Sequence, residues 1–372
     1  MKILLLSLDT GGIMHYAIDL ANNLGAYNEE IIFIGKEEAK EFLSTNCKFI
    51  FINNSKNILY FYSEFKKIFQ ETKPNIVHFT GYHPAYIFIA NYLKRNKIPT
   101  VYTIHDAKIH KYNFLKFEGF KKRFIFNKFL NRKLIRSVSK AITLSSYVAG
   151  QVSAIYKYEA NVILLSQDIG RYHKFNNKIQ ALKTEDKIKI LFFGSLSKYK
   201  GLESLIEAAK ILKQKKVKFS LTIAGRSVGG YSLKVPMDLQ EEIIFMNRFI
   251  KEEEIPFIFN DCDIVIQPYL EASQSGVLPL AFAYRKPVIA TNLASFTEII
   301  EDGVNGFLVE KNSPKEIADL IEYLSRNKQK LRSLSYGAYN TYNNKLNWNT
   351  IVKKYIKIYS SIYPASPLVI GE

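Results

Sequence analysis

The sequence predicts an α/β protein built from two Rossmann-like domains. Three observations carry that prediction. Short apolar runs recur along the 372 residues and alternate with stretches of helical periodicity. The runs are apolar on both faces, as strands of a parallel sheet are. The alternation then starts afresh after a polar and charged stretch at 173–187, HKFNNKIQALKTEDK, which reads as a linker.

The first run, KILLLSL, ends in Asp9-Thr10-Gly11-Gly12 and leads into HYAIDLANNLG, whose apolar residues have helical spacing and whose Gly25 is a stop. The same strand, turn and helix unit recurs through IIFIG, NIVHFTG, TVYTIHD and KAITLSS. Beyond the linker come KILFFGS, the helix GLESLIEAAKILKQ, FSLTIAG, DIVIQPYL, PVIATN and GFLVE. Residues 1–172 are thus assigned to a first domain, 188–346 to a second, and 347–364 to a last helix. The two halves are expected to face each other across a cleft.

Composition narrows the class. The chain is 47% hydrophobic and 23% charged, which suits a globular protein rather than a disordered one. Its cysteines, Cys47 and Cys262, are far apart, so no disulfide framework or zinc ribbon is available and a reducing compartment is expected. MKILLLSLDT is too short an apolar run for a signal sequence, and no stretch reaches the length of a membrane-spanning helix. The net charge of +18 is concentrated in the first half, where residues 1–180 hold 26 Lys/Arg against 13 Asp/Glu. Much of it lies between Lys108 and Arg136. There Lys111, Lys116, Lys121, Lys122 and Arg123 are interleaved with Tyr112, Phe114, Phe117, Phe120 and Phe124. Such a segment fits an anionic membrane surface, and it equally fits an amphipathic core helix with a solvated basic face. No helix-turn-helix, zinc-finger or RNP pattern supports nucleic acid as a partner.

Five of six histidines, His15, His78, His83, His105 and His110, fall in the first 110 residues. Four follow or end predicted strands, where ligands of open parallel sheets bind, so these imidazoles are expected to line the cleft as hydrogen-bonding residues. No metal-ligand spacing accompanies them, and Asp261-Cys262-Asp263 reads as the start of a strand rather than a metal site. Gly11-Gly12 lets a phosphate or sugar approach the backbone, but neither G-x-G-x-x-G nor a P-loop occurs. In the second half Lys200-Gly201 stands in a turn just before a helix, where a lysine and backbone amides together neutralise a diphosphate. Ser273-Gln274-Ser275-Gly276-Val277 occupies a second strand-to-helix turn.

In order and spacing, these motifs resemble the GT-B fold glycosyltransferases, in particular the retaining family 4. The resemblance runs over essentially the whole chain: the Gly-Gly turn, T-I-H-D, F-G-x-x-x-x-Y-K-G, P-Y-x-x-x-S-Q-S-G-V, K-P-V-I-A-T and E-I-I-E-D-G-x-N-G. It implies sugar transfer from a nucleotide diphosphate donor, UDP- or GDP-linked, to a hydroxyl of a lipid-linked or cell-envelope glycan, with retention, no cofactor and no bound metal. It implies a last helix, from Trp348, that crosses back onto the first domain. Lys200 and the amides of Ser275, Gly276 and Val277 would hold the diphosphate, and His105 would contact the transferred sugar. Arg248, Phe249 and Ile250 would lie nearest the base. Gly11, Gly12, Gly194, Ser195, Arg226, Glu271, Ser273, Gln274 and Glu298 complete the donor set, and His15 is assigned with Lys111, Lys116, Lys121, Lys122 and Arg123 to the acceptor or membrane side.

Two departures stand out. Ser195 follows Gly194 where the family usually has an Arg, leaving Lys200 alone unless Arg226 reaches in. Pro279 and Leu280 stand where a second Glu after Glu271 is expected. They motivate an alternative, a binding protein that has lost turnover. An NAD-dependent oxidoreductase is the remaining rival, against which the missing dinucleotide fingerprint speaks.

Overall fold

The computed structural model describes residues 1–53, 55, 57–107, 120–171 and 186–363, with the backbone alone at 120–128. It divides into two compact units. One runs to Gln167 and resumes at Trp348; the other is Asp168–Asn347. Arg171, expected in the first domain, belongs to the second unit, where its Nε lies 3.4 Å from the Glu252 carboxylate. Most of the predicted linker, residues 172–185, lies outside the described residues.

The first unit holds a seven-stranded sheet. Its strands are β1 (Lys2–Ser7), β2 (Glu30–Gly35), β3 (Cys47–Phe51), β4 (Ile76–Phe79), β5 (Thr100–Ile104), β6 (Lys140–Thr143) and β7 (Asn161–Val162), in the order β3-β2-β1-β4-β5-β6-β7. All its pairings are parallel. The intervening helices are α1 (Gly12–Ala26), α2 (Ile58–Thr72), α3 (Tyr86–Arg95), α4 (Phe120–Ser137) and α5 (Ser146–Tyr156). Burial explains the unbroken apolar strands. In β1, Leu4 and Leu6 enter the core beneath α2, α3 and α5, whereas Ile3 and Leu5 enter a second core on the opposite face with α1. Each such fully buried side chain contributes on the order of 1.5–3 kcal/mol.

The second unit repeats the plan with β8 (Ile188–Phe193), β9 (Phe219–Ala224), β10 (Ile243–Met246), β11 (Ile264–Gln267), β12 (Val288–Thr291) and β13 (Gly306–Val309), ordered β10-β9-β8-β11-β12-β13. Its helices are α6 (Leu202–Gln214), α7 (Ile255–Asp261), α8 (Val277–Ala283), α9 (Ala294–Thr297), α10 (Pro314–Arg326) and α11 (Lys328–Thr341). Each sheet reverses its strand order once, between β1 and β4 and between β8 and β11, and such reversals are where open parallel sheets bind ligands.

The last helix, α12 (Trp348–Ile362), belongs to the first unit. Trp348, Ile351, Val352, Tyr355 and Tyr359 are buried in the core that α1 shares. A buried polar chain locks it there. Tyr355 Oη pairs with Tyr16 Oη at 2.6 Å, Tyr16 Oη with Thr103 Oγ1 at 3.0 Å, Thr103 Oγ1 with His78 Nε2 at 2.8 Å, and His78 Nδ1 with Tyr359 Oη at 2.7 Å. His78 is therefore not a cleft residue. It lies inside β4, fully buried, and desolvation depresses its pKa to about 3, so it is a neutral imidazole with both nitrogens committed.

Candidate active site

In the second unit the loops after β8 and β11 meet. Two glycines make the approach feasible. Gly201 has φ of 66°, and a Cβ there would stand 1.8 Å from the Pro268 carbonyl oxygen. Gly225, at φ of 152°, would likewise meet the Gly194 carbonyl at 1.8 Å. Only a residue without a side chain lets these strand ends close up. Gly194 itself lies beside Val277, whose Cγ2 is 3.7 Å from the position of a Cβ on Gly194.

Lys200 is the chemical centre of this cluster. Its Nζ sits 3.6 Å from the centroid of the Tyr269 ring and 5.0 Å from that of Tyr199. No carboxylate pairs with it among the described residues. Burial pulls its pKa down to about 7 from 10.5. The Tyr199 carbonyl accepts from the Leu270 amide at 2.7 Å, which ties the two loops together. In the loop after β11, Ser275 Oγ donates to the side-chain Oε1 of Gln267 at 2.7 Å and lies near the Tyr269 hydroxyl. Gln267 is 1% exposed, and its Nε2 has no partner among the described residues. The Ala272 carbonyl is held by Ser295 Oγ at 2.9 Å, which fixes the segment leading to buried Ser273. Glu271 and Gln274 are half-buried in the same loop, and Glu298 is half-buried at the end of α9.

Other predicted donor residues are placed differently. Ser195 and Arg226 are exposed, and Arg226 enters the fold through its carbonyl, which accepts from the Leu196 amide at 2.9 Å. Arg248 is occupied by Glu254, with Nη1 to Oε2 at 2.8 Å and a second guanidinium bond alongside. That pairing and the Lys251 amide hold the Glu254 carboxyl down at about 2. The Ile250 side chain is buried, so of the three residues expected at a base only Phe249, 66% exposed, offers a free side-chain surface. Asn247 holds this loop against the one after β9 by accepting from the Ser227 amide at 2.9 Å.

Gly11, Gly12, His15 and His105 lie in the first unit. Gly11 has φ of 63° and precedes α1; a Cβ on either glycine would meet nothing within 4 Å. His105 is buried at the end of β5, its Nε2 donates to the Thr80 carbonyl at 2.8 Å, and burial lowers its pKa. His15 packs its edge on Phe42, and His83 packs on Phe61 while its Nδ1 accepts from the Ala85 amide. His110, Lys111 and Lys116 lie outside the described residues, as do the side chains of Lys121, Lys122 and Arg123. Asp261 pairs with Lys189 Nζ at 2.9 Å and Asp263 accepts from the Lys189 amide, so both acids serve to start β11. Among the described residues no three His, Cys, Asp or Glu side chains gather as metal ligands.

Comparison with known proteins bears on the fold and the family. The family of glycosyl transferases group 1 matches residues 173–341, and glycosyltransferase family 4 matches residues 10–165. The chain belongs to the group 1, family 4-type glycosyltransferases of GT-B fold. An uncharacterized 41.2 kDa protein in the cps region of Klebsiella pneumoniae is 27% identical over 91% of this chain and 95% of its own. An uncharacterized glycosyltransferase of Methanocaldococcus jannaschii is 26% identical over 73% and 71%. Among solved structures, sucrose-phosphate synthase from Thermosynechococcus elongatus superposes with a TM-score of 0.78 at 17% identity, covering 98% of this chain and all of the other. Anabaena HepE, solved with UDP, superposes at 0.73 and 20% identity over 97% and 100%.

Within this glycosyltransferase, sequence reasoning missed Gln267 and undervalued Tyr199 and Tyr269. Tyr269 stands inside the P-Y-x-x-x-S-Q-S-G-V motif, so a signal existed. Gln267 ends an apolar run, and nothing in that run marks its amide as a support for Ser275. Asp9, quoted only as part of a glycine turn, was also passed over.

Proposed function

We propose that this glycosyltransferase moves a sugar from a nucleotide diphosphate donor, held by the second unit, to a hydroxyl of a lipid-linked or cell-envelope glycan. One observation carries the reading: a desolvated ammonium, Lys200, with aromatic faces around it and no carboxylate partner among the described residues. A half-buried cation with no counterion among the described residues is a site for an anion, and growing negative charge on a leaving diphosphate is what fixed donors stabilise best. Backbone amides of Ser275, Gly276 and Val277 would complete the set. In the reaction the acceptor oxygen bonds to the anomeric carbon and the bond from that carbon to the phosphate oxygen breaks. The acceptor proton passes to a phosphate oxygen on the same face, so the configuration is retained. Lys200 supplies the charge that a metal ion would otherwise supply.

Two kinds of relative support the biological setting. Anabaena HepE was solved with UDP-glucose, and a capsular polysaccharide biosynthesis glycosyltransferase, CapM of Staphylococcus aureus, is 26% identical over 53% of this chain. The basic aromatic composition of 108–136 supports action at the cytoplasmic face of a membrane, to which the chain would bind peripherally; among the described residues no helix is long and apolar enough to cross a membrane. The test is a thermal-shift and calorimetry panel of UDP-, GDP-, ADP- and dTDP-sugars, with NADH as control, on wild type and Lys200→Ala. A donor that stabilises wild type and loses affinity in the variant supports the reading. Response to NADH alone, or to no nucleotide sugar, refutes it. Ser195 favours a second reading, a binder without turnover, and donor binding with neither hydrolysis nor transfer would select it.

A further inference from the structure

Three neighbouring strands of the first sheet, β1, β4 and β5, end beside one acid that the donor chemistry does not use. Asp9 follows β1. Its carboxylate lies over Gly81, just past β4, so closely that a Cβ on Gly81 would stand 1.9 Å from Oδ2 and 3.0 Å from Cγ. His105, after β5, braces the same loop by donating to the Thr80 carbonyl. The fold therefore reserves the space above Gly81 for this carboxylate.

Asp9 is half-buried, and no hydrogen-bond donor reaches it among the described residues. The groups whose charges act on it are Lys36 beyond β2, Tyr86 of α3 and Tyr102 of β5, and none of them pairs with it. Burial raises its carboxyl to about 6, with Lys36 opposing. Nor does Asp9 cap α1, whose first turn has no side-chain cap. A partly desolvated carboxylate with no partner among the described residues does not strengthen a fold, so stability does not explain it. Beside it, Gly11 and Gly12 face open space.

We propose that Asp9 is the group by which the first unit holds a sugar hydroxyl of the acceptor. The hydroxyl donates to the carboxylate, while the uncapped amides at the start of α1 donate to oxygens of the same sugar. A hydroxyl fits because it both donates and accepts, whereas a carboxylate only accepts and an amide only donates. A phosphate or carboxylate ligand would be repelled by Asp9. The inference rests on the glycosyl-transfer reading, for which it supplies the acceptor half.

The test uses the full chain as wild type, Asp9→Asn and Gly81→Ala. The donors are UDP-, GDP-, ADP- and dTDP-glucose, and the acceptors are neutral methyl glycosides and methyl glucosaminide. Nucleotide release is followed with and without each acceptor, and nucleotide affinity is measured separately. Asp9→Asn is expected to keep nucleotide affinity within about twofold and to raise the acceptor KM at least about tenfold. Wild-type acceptor KM should rise as pH falls through about 6, and in Asp9→Asn that limb should vanish. Gly81→Ala, which displaces the carboxylate, should also raise acceptor KM and leave nucleotide affinity alone. Acceptor kinetics unchanged in Asp9→Asn, preference for the amino sugar alone, or nucleotide binding without stimulation by any glycoside would each overturn the assignment. Failure of wild type to bind any nucleotide would instead refute the glycosyl-transfer reading itself.

Discussion

If Lys200 receives the donor diphosphate, donor binding must take up a proton above neutral pH. Burial between two rings holds the free lysine near pKa 7, and a bound diphosphate restores the ordinary preference for the charged form. Only the protonated lysine pairs with the phosphates, so apparent affinity falls as pH rises through 7. Relative to its acidic limit, the dissociation constant should grow about twofold at pH 7, about elevenfold at pH 8 and about a hundredfold at pH 9. Calorimetry with UDP at pH 7 and pH 9, in two buffers of different ionisation enthalpy, reads the affinity and the proton uptake together. Lys200→Arg, which stays charged throughout, should flatten the pH dependence, and Lys200→Met should lower affinity about tenfold or more at pH 7. Equal affinity at pH 7 and pH 9 with no proton taken up would show that Lys200 is not the diphosphate ligand.

Two further outcomes follow from the packing. Gly201→Ala should cost about 3 kcal/mol, from a positive φ and a clash with the Pro268 carbonyl that has no flexible side chain to yield, and a urea titration measures it. Tyr359→Phe removes the partner of His78 Nδ1 in a fully buried site and should destabilise the first unit by about 1–3 kcal/mol, again read from the urea midpoint.

The parts legible in the sequence were those encoded locally. Periodicity and glycine turns gave strand, turn and helix, because each depends on neighbours in the chain. Lys200 and Ser275 could be named because they sit in turns between a strand and a helix. What escaped was set by contacts that periodicity does not encode, most of them between distant segments. His78 ends an apolar run and so looked like a residue lining a cleft; its burial is decided by Tyr359, 281 positions away. Arg248 looked free to meet a base until Glu254, six residues on, folded back to neutralise it. Asp9 stood in a conspicuous D-T-G-G turn, yet its desolvation is imposed by the loop carrying Gly81, which periodicity cannot place.

Asp9 and Lys200 share one physical state, a half-buried charge with no protein partner among the described residues, and the pH dependence of stability tests that state independently of any substrate. Asp9 is raised in the fold, from 3.8 to about 6. Its contribution to stability is present below its unfolded value and lost as pH rises through about 6, so Asp9→Asn should exceed wild type in stability above pH 6 and converge with it near pH 4. Lys200 is depressed, from 10.5 to about 7. Its contribution is present above 10.5 and lost as pH falls through about 7, so Lys200→Met should exceed wild type most at and below pH 7. Between pH 6 and 7 both groups are predominantly ionised in the folded chain, and both variants should be more stable than wild type there. Structural charges behave in the opposite way, since removing a partnered ion destabilises. Urea midpoints of the three proteins from pH 4 to 10 separate these cases. A variant that loses stability in that window would show that its charge is held by the protein, and that residue would then have no claim to a substrate.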